Sequence, residues 1–231
     1  MGLILQIETA TASCSVALAN NGQIVSTREV NGRNVHAEVI TNFIEDVITA
    51  SGISFNNLDA VAVSSGPGSY TGLRIGVSTA KGLCFALDKP LIAVDTLAAM
   101  ASGIIKNRPY SNDSGVLFCP MVDARRMEVY TAIFDNNLDT VKATAAEIID
   151  ENSFKDLLIN HRLLFFGDGA EKCRSVLDKN PNAVFHSAFT NSAAFLTRIA
   201  DEKFNANIFE DVAHFEPFYL KDFIAGKKKE K

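Results

Sequence analysis

The sequence predicts an α/β protein of two lobes, each a mixed β-sheet with flanking helices, in a duplicated βββαβα-type order. Three observations predict this. Strand-like and helix-like segments follow the same order in both halves. That order mixes hairpins with crossovers, so each sheet is mixed rather than purely parallel. A polar, turn-rich break, Asn107–Gly115, separates the halves. The expected division is 1–106 for the first lobe, 107–224 for the second, and 225–231 for a basic, solvated and disordered tail.

In the first half, Leu3–Glu8 and Ser13–Asn20 read as two strands joined by a short Thr/Ala turn. Asn20-Asn21-Gly22 is a hairpin signal, and Gln23–Val30 reads as a third strand. His36–Ser51 reads as an amphipathic helix, since Val39, Ile40, Phe43, Ile44, Val47 and Ile48 recur at three and four, and Gly52 stops it. A strand at Ala60–Val63, a helix at Leu73–Leu87, a strand at Pro90–Val94 and a helix at Thr96–Lys106 complete the half.

The second half begins the order again. Val116–Val122 and Glu128–Phe134 read as strands, Asp135–Asn137 as a turn, and Leu138–Thr144 as a weak strand. Phe154–Asn160 reads as a short helix, Leu163–Phe166 as a buried strand and Gly169–Asp178 as a helix. Ala183–Phe185 as a strand and Ser192–Lys203 as a helix close it.

The stretch Ser64–Gly76 (S-S-G-P-G-S-Y-T-G-L-R-I-G) joins a strand to a helix, and free N–H groups at such a start suit an anion. The phosphate-loop spacings nevertheless fail. Gly68 to Gly72 leaves three residues where a Walker loop needs four, Gly66 to Gly72 leaves five, and Arg74 is not the required Lys. Gly66 and Gly68 fit a dinucleotide fingerprint, but Thr71 stands at its third glycine. A second feature is a stripe of small residues, Gly72, Gly76 and Ala80, four apart on one helical face. With Gly82 the interior glycines cost about 2–3 kcal/mol of helix propensity. Something must therefore approach closely, either the helix's own sheet or a second protein. The wide apolar arc of His36–Ser51 favours a partner, with His36, Val39, Ile40, Phe43, Val47, Tyr70, Gly72, Leu73, Gly76 and Ala80 as the expected surface.

Bulk properties narrow the function. The chain has 231 residues, 47% hydrophobic and 21% charged, an ordinary globular balance, with net charge −5. Without Lys227–Lys231 the body carries 18 basic and 26 acidic residues, a poor match to nucleic-acid phosphates. Cys14, Cys84, Cys119 and Cys173 lie far apart, which fits a reducing cytoplasm rather than disulfides or a zinc knuckle. Met1–Ala19 lacks a basic start and carries Glu8 within its apolar run, so it does not read as a signal peptide. Gln6 stands where myristoylation wants Ser or Thr. No run approaches the roughly 18 apolar residues of a membrane span.

The duplicated order resembles the actin-like (ASKHA) ATPase superfamily. More closely, four segments resemble the bacterial TsaB (YeaZ) family: I-L-Q-I-E-T-A-T-A-S-C-S-V-A-L at the N-terminus, Arg33–Glu38, Ser64–Gly76 and Asp123–Tyr130. Pro217-Phe218-Tyr219-Leu220-Lys221 resembles the family's C-terminal ending. The resemblance implies a non-catalytic subunit of the complex that makes N6-threonylcarbamoyladenosine at position 37 of tRNA. It implies TsaD, the transferase paralogue, and the ATPase TsaE as partners, and a homodimer in isolation through the first-lobe helices. Contact with tRNA is implied only through the complex, and ATP or ADP at most at the TsaD or TsaE site.

Departures from the catalytic paralogue sharpen this. After Lys89-Pro90-Leu91, TsaD-like chains carry His-x-x-x-His, a spacing suited to a divalent metal. Here Thr96 and Met100 stand in those places, so no metal site of that kind is expected. Superfamily ATPases set a Gly-Gly-x-Ala turn against adenosine, whereas Gly167-Asp168-Gly169-Ala170 inserts a carboxylate that repels nucleotide unless a metal or Lys offsets it. Glu8-Thr9-Ala10-Thr11 only approximates the first phosphate turn. Asp123 and Arg125, with Gly167, Asp168 and Gly169, are the candidate nucleotide-proximal or complex-contact residues. His36 and Glu38 are two apart and point in different directions, which fits a capping or interface role better than an acid–base pair. Ser13 and Ser69 lack a legible His/Asp constellation. The alternative reading is an actin-like small-molecule kinase or ATPase with its own site between Gly167–Ala170 and the N-terminal hairpin.

Overall fold

A computed structural model describes residues 2–32, 35–107 and 115–221. Most of the break Asn107–Gly115, the motif residues Arg33 and Asn34, and the tail 225–231 lie outside the described residues.

The first sheet contains β1 (Leu3–Glu8), β2 (Ser13–Asn20), β3 (Gln23–Asn31), β4 (Ala60–Gly66) and β5 (Leu91–Asp95), in the order β3-β2-β1-β4-β5. The second contains β6 (Val116–Asp123), β7 (Glu128–Phe134), β8 (Thr140–Ile148), β9 (Arg162–Phe166) and β10 (Ala183–His186), in the order β10-β9-β6-β7-β8. The two orders are the same pattern. In each, a hairpin pair runs antiparallel and the two crossover strands run parallel. Register follows burial: β1 sits mid-sheet, with Ile7 opposite both Val16 and Val63, and all three are buried.

The helices are α1 (His36–Ala50), α2 (Tyr70–Leu87), α3 (Thr96–Asn107), α4 (Lys155–Asn160), α5 (Ala170–Leu177) and α6 (Thr197–Asn205). α1 presents Ile40, Ile44, Val47 and Ile48 to one face of the first sheet, and α2 presents Val77, Ala80 and Cys84 to the same core. Leu158 of α4 and Cys173 and Leu177 of α5 pack on the outer face of the second sheet. α3 lies between the sheets. Its Ala99 packs with Ile4, Ala62 and Val94 of the first sheet, while Leu97, Met100 and Ile104 pack with Phe118 and Phe166 of the second. A 3-10 turn, Ala193–Leu196, and α6 return to the first sheet, where Leu196 and Ala200 join that core. Packing thus crosses the expected lobe boundary near 107 in both directions.

Several expected ends move for local reasons. α2 begins at Tyr70, three residues early, because Ser69 caps it: the Ser69 Oγ accepts the Gly72 N–H at 3.2 Å. β8 starts at Thr140 and runs to Ile148, later than Leu138–Thr144, because it is a half-exposed edge strand with weak alternation. The expected helix Ser192–Lys203 opens instead as the 3-10 turn. Among the described residues no helix is long and apolar enough to cross a membrane.

Candidate functional site at the lobe cleft and the α1–α2 face

The turn between β1 and β2 is gripped from two sides. His36, first residue of α1, places Nε2 2.9 Å from the Thr11 carbonyl oxygen. The Ser69 N–H donates to the Ala10 carbonyl at 2.7 Å. A Cβ on Gly72 would fall inside contact distance of the Thr9 carbonyl oxygen, and one on Gly76 inside that of Thr9 Oγ1. These contacts correct the sequence expectation. At Gly72 and Gly76 the close approach is made by the chain's own Thr9. Two N–H groups at this turn are used internally, Ser69 by the Ala10 carbonyl and Gly72 by the Ser69 hydroxyl.

The other expected interface residues divide by burial. His36, Ile40, Val47, Leu73, Gly72, Gly76 and Ala80 are buried within the chain, so they form no free surface; an apolar helix face had to cover the sheet first. Val39, Phe43 and Tyr70 are half-buried. The sequence reading missed the most exposed apolar side chain of α2, Phe85, which is 86% exposed, and the half-buried Ile75 and Leu83. Their signal was helical phase: Phe85 stands opposite the Gly76–Ala80–Cys84 line.

On the second lobe the structure brings Asp123, Asp168 and Gly169 together. The Asp123 N–H donates to Asp168 Oδ1 at 3.0 Å, and the Gly169 N–H donates to the Met121 carbonyl at 3.0 Å. The Arg125 N–H closes onto Asp123 Oδ1 at 2.9 Å, with Arg125 itself at φ 69° and exposed. The cation that offsets the carboxylates is Lys172, which pairs with Asp123 and donates to the Glu128 carbonyl at 2.7 Å. Sequence reasoning asked for such a Lys without locating it. Its position three residues after Gly169, in the first turn of α5, was the available signal.

Between the lobes is a cavity of about 40 Å³, lined among others by Thr11, Ser13, Met100, Asp168 and Asn191. Gly167, at φ 104°, lies so close to Met100 that a Cβ there would stand 2.6 Å from the Met100 methyl carbon. Met100 and Thr96 are fully buried. Glu8, at the end of β1, is also fully buried, with its Oε1 accepting the Ala10 N–H at 2.5 Å. Burial pushes the Glu8 carboxyl up to about 7, against the pull of the Ala10 N–H bond. Among the described residues no three His, Cys, Asp or Glu side chains gather as metal ligands.

Comparison with known proteins places this arrangement. The family model for TsaD, tRNA N6-adenosine threonylcarbamoyltransferase, matches residues 29–225. The chain is similar to the tRNA threonylcarbamoyladenosine biosynthesis protein TsaB of Escherichia coli (strain K12), 32% identical and covering 97% of each chain. It is also similar to the tRNA N6-adenosine threonylcarbamoyltransferase of Staphylococcus haemolyticus (strain JCSC1435), 41% identical over 42% of this chain and 33% of that protein. Its fold matches YeaZ from Pseudomonas aeruginosa with a TM-score of 0.79 at 23% identity, over 95% of this chain and 100% of that one. With two lobes of one repeated topology and a relative matched along nearly its whole length, the chain belongs to the TsaB (YeaZ) family of tRNA threonylcarbamoyladenosine biosynthesis proteins.

Proposed function

We propose that this chain is a non-catalytic scaffold subunit that activates a TsaD-type transferase in forming N6-threonylcarbamoyladenosine on tRNA. It pairs with TsaD through the outer face of α1 and α2, acts together with the ATPase TsaE, and self-associates through the same face when alone. It works in the cytoplasm and meets tRNA only through the complex.

The observation that carries this reading is the lobe cleft. An actin-like ATPase needs room there for a nucleotide, and small-molecule sites run to roughly 300–1,000 Å³. The pocket between Thr11, Ser13, Met100, Asp168 and Asn191 has about 40 Å³ among the described residues. Lys172, the nearby cation, is already engaged by Asp123 and the Glu128 carbonyl. The buried Thr96 and Met100 offer a hydroxyl and a thioether, poor ligands for a hard divalent metal. Phe85, 86% exposed on α2, is the observation that favours a partner on this helix.

Calorimetry of the isolated chain with ATP and magnesium tests the first part. No saturable binding heat is expected. Micromolar binding with turnover would instead favour an actin-like kinase or ATPase with its own site.

A further inference from the structure

After α6 the chain runs without regular structure from Ala206 to Lys221, yet it is anchored along its whole path. The Glu210 N–H donates to the Leu91 carbonyl at 2.9 Å, pairing the segment with β5. Lys81 of α2 donates to the Ala213 and Phe215 carbonyls at 3.2 and 2.9 Å. Val212 and Phe215 pack on the first core. The Phe218 N–H donates to the Ser65 carbonyl at 2.7 Å. Gly66, at φ 116°, is bare beneath it; a Cβ there would lie 2.5 Å from the Phe218 carbonyl oxygen. Tyr219 then meets Tyr70, ring centroids 4.8 Å apart, and the Arg74 guanidinium lies 4.3 Å over the Tyr70 ring.

The last contact changes lobes. Lys221 Nζ pairs with both carboxylate oxygens of Glu128, the first residue of β7, at 2.6 and 2.5 Å. Two covalent crossings already join the lobes, α3 to β6 and β10 to the 3-10 turn. Glu128 stands apart from both. It lies beside the C-terminal end of β6, roughly 23 Å along the strand from Val116, where the first crossing enters. It is three strands from β10, about 14 Å across the sheet. The latch adds a contact at this far end of β6, away from the α3 packing between the sheets and from the Arg198–Asn137 carbonyl bond.

We propose that the segment Asn207–Lys221 is a clasp, with Lys221–Glu128 as its latch, that holds the angle between the lobes and ties it to the first turn of α2 at Tyr70 and Arg74. The clasp spans the first lobe's β4–α2 junction, so lobe opening and the seating of Phe218 on Ser65 are one event.

The test uses charge reversal in the full chain: Glu128→Lys, Lys221→Glu, and both together. Two readouts are taken, hydrogen exchange at the Phe218 amide and the interlobe distance distribution between spin labels on Glu45→Cys and Lys155→Cys. The four native cysteines are buried and stay unlabelled. Each single reversal is expected to speed Phe218 exchange about fivefold, the upper range for an exposed ion pair, and to broaden the distance distribution. The double reversal is expected to restore both. Unchanged exchange, a change confined to Phe218 with the distances unmoved, or failure of the double reversal to restore them would each overturn the clasp. Should Glu128→Lys not fold, Lys221→Glu on the exposed segment gives both readouts alone.

Discussion

Glu8→Gln is the substitution whose consequence the structure sizes most directly. Glu8 ends β1 with no exposed surface, and burial lifts its carboxyl from 4.5 to about 7 despite its hydrogen bonds. In the unfolded chain that carboxyl returns to an ordinary value. Between roughly pH 4.5 and 7 the folded state therefore holds a proton that the unfolded state has released. Stability from this group is complete below the unfolded pKa and is lost as pH rises through about 7. The rise from 4.5 to about 7 corresponds to about 3 kcal/mol, of which about 2–3 kcal/mol falls between pH 5 and 8. Glutamine keeps an acceptor for the Ala10 N–H and cannot ionise. Urea denaturation of both proteins from pH 5 to 8 should show the wild type losing about 2–3 kcal/mol relative to the variant. A difference that stays constant to within about 0.5 kcal/mol would refute the claim that burial, rather than the surrounding hydrogen bonds, sets the state of Glu8.

Three further outcomes follow from the packing. Gly76→Ala should destabilise the chain by about 1–3 kcal/mol in a urea titration, because the added methyl meets Thr9. Gly82→Ala, on the same helix with nothing within 4 Å of its Cβ, should stabilise it by about 0.5–1 kcal/mol. Phe85→Asp should leave the melting behaviour within about 0.5 kcal/mol of wild type while light scattering shows self-association and TsaD pairing lost.

The order of elements was legible because each strand and helix carries its own period. The β1–β2 strands run apolar around a Thr turn, Asn20-Asn21-Gly22 marks the hairpin, and α1 repeats at three and four. Repetition of that order also exposed the duplication. The stripe of α2 was legible as a demand for close approach, but not the identity of what approaches. Thr9 is more than 60 residues away in sequence, and only the fold sets it against Gly72 and Gly76. The same holds for Lys172, which meets Asp123 from 49 residues away, and for Lys221, which meets Glu128 from 93. Glu8 was conspicuous as an acid inside an apolar run, while its burial depended on groups distant in sequence, Ser64 and Asn191, gathering around the end of β1. The outward position of Phe85 was within reach of a helical wheel once the start of α2 is taken at Tyr70. The partner surface was instead read from the small-residue stripe, which the chain consumes itself.

The account stands most directly on reconstituted tRNA modification. A TsaD-type transferase and a TsaE-type ATPase would be assayed for N6-threonylcarbamoyladenosine formed in tRNA, with this chain, without it, and with Phe85→Asp in its place. Incorporation that depends on the wild-type chain and falls with Phe85→Asp is the predicted result. Equal incorporation in the absence of this chain would contradict the scaffold role.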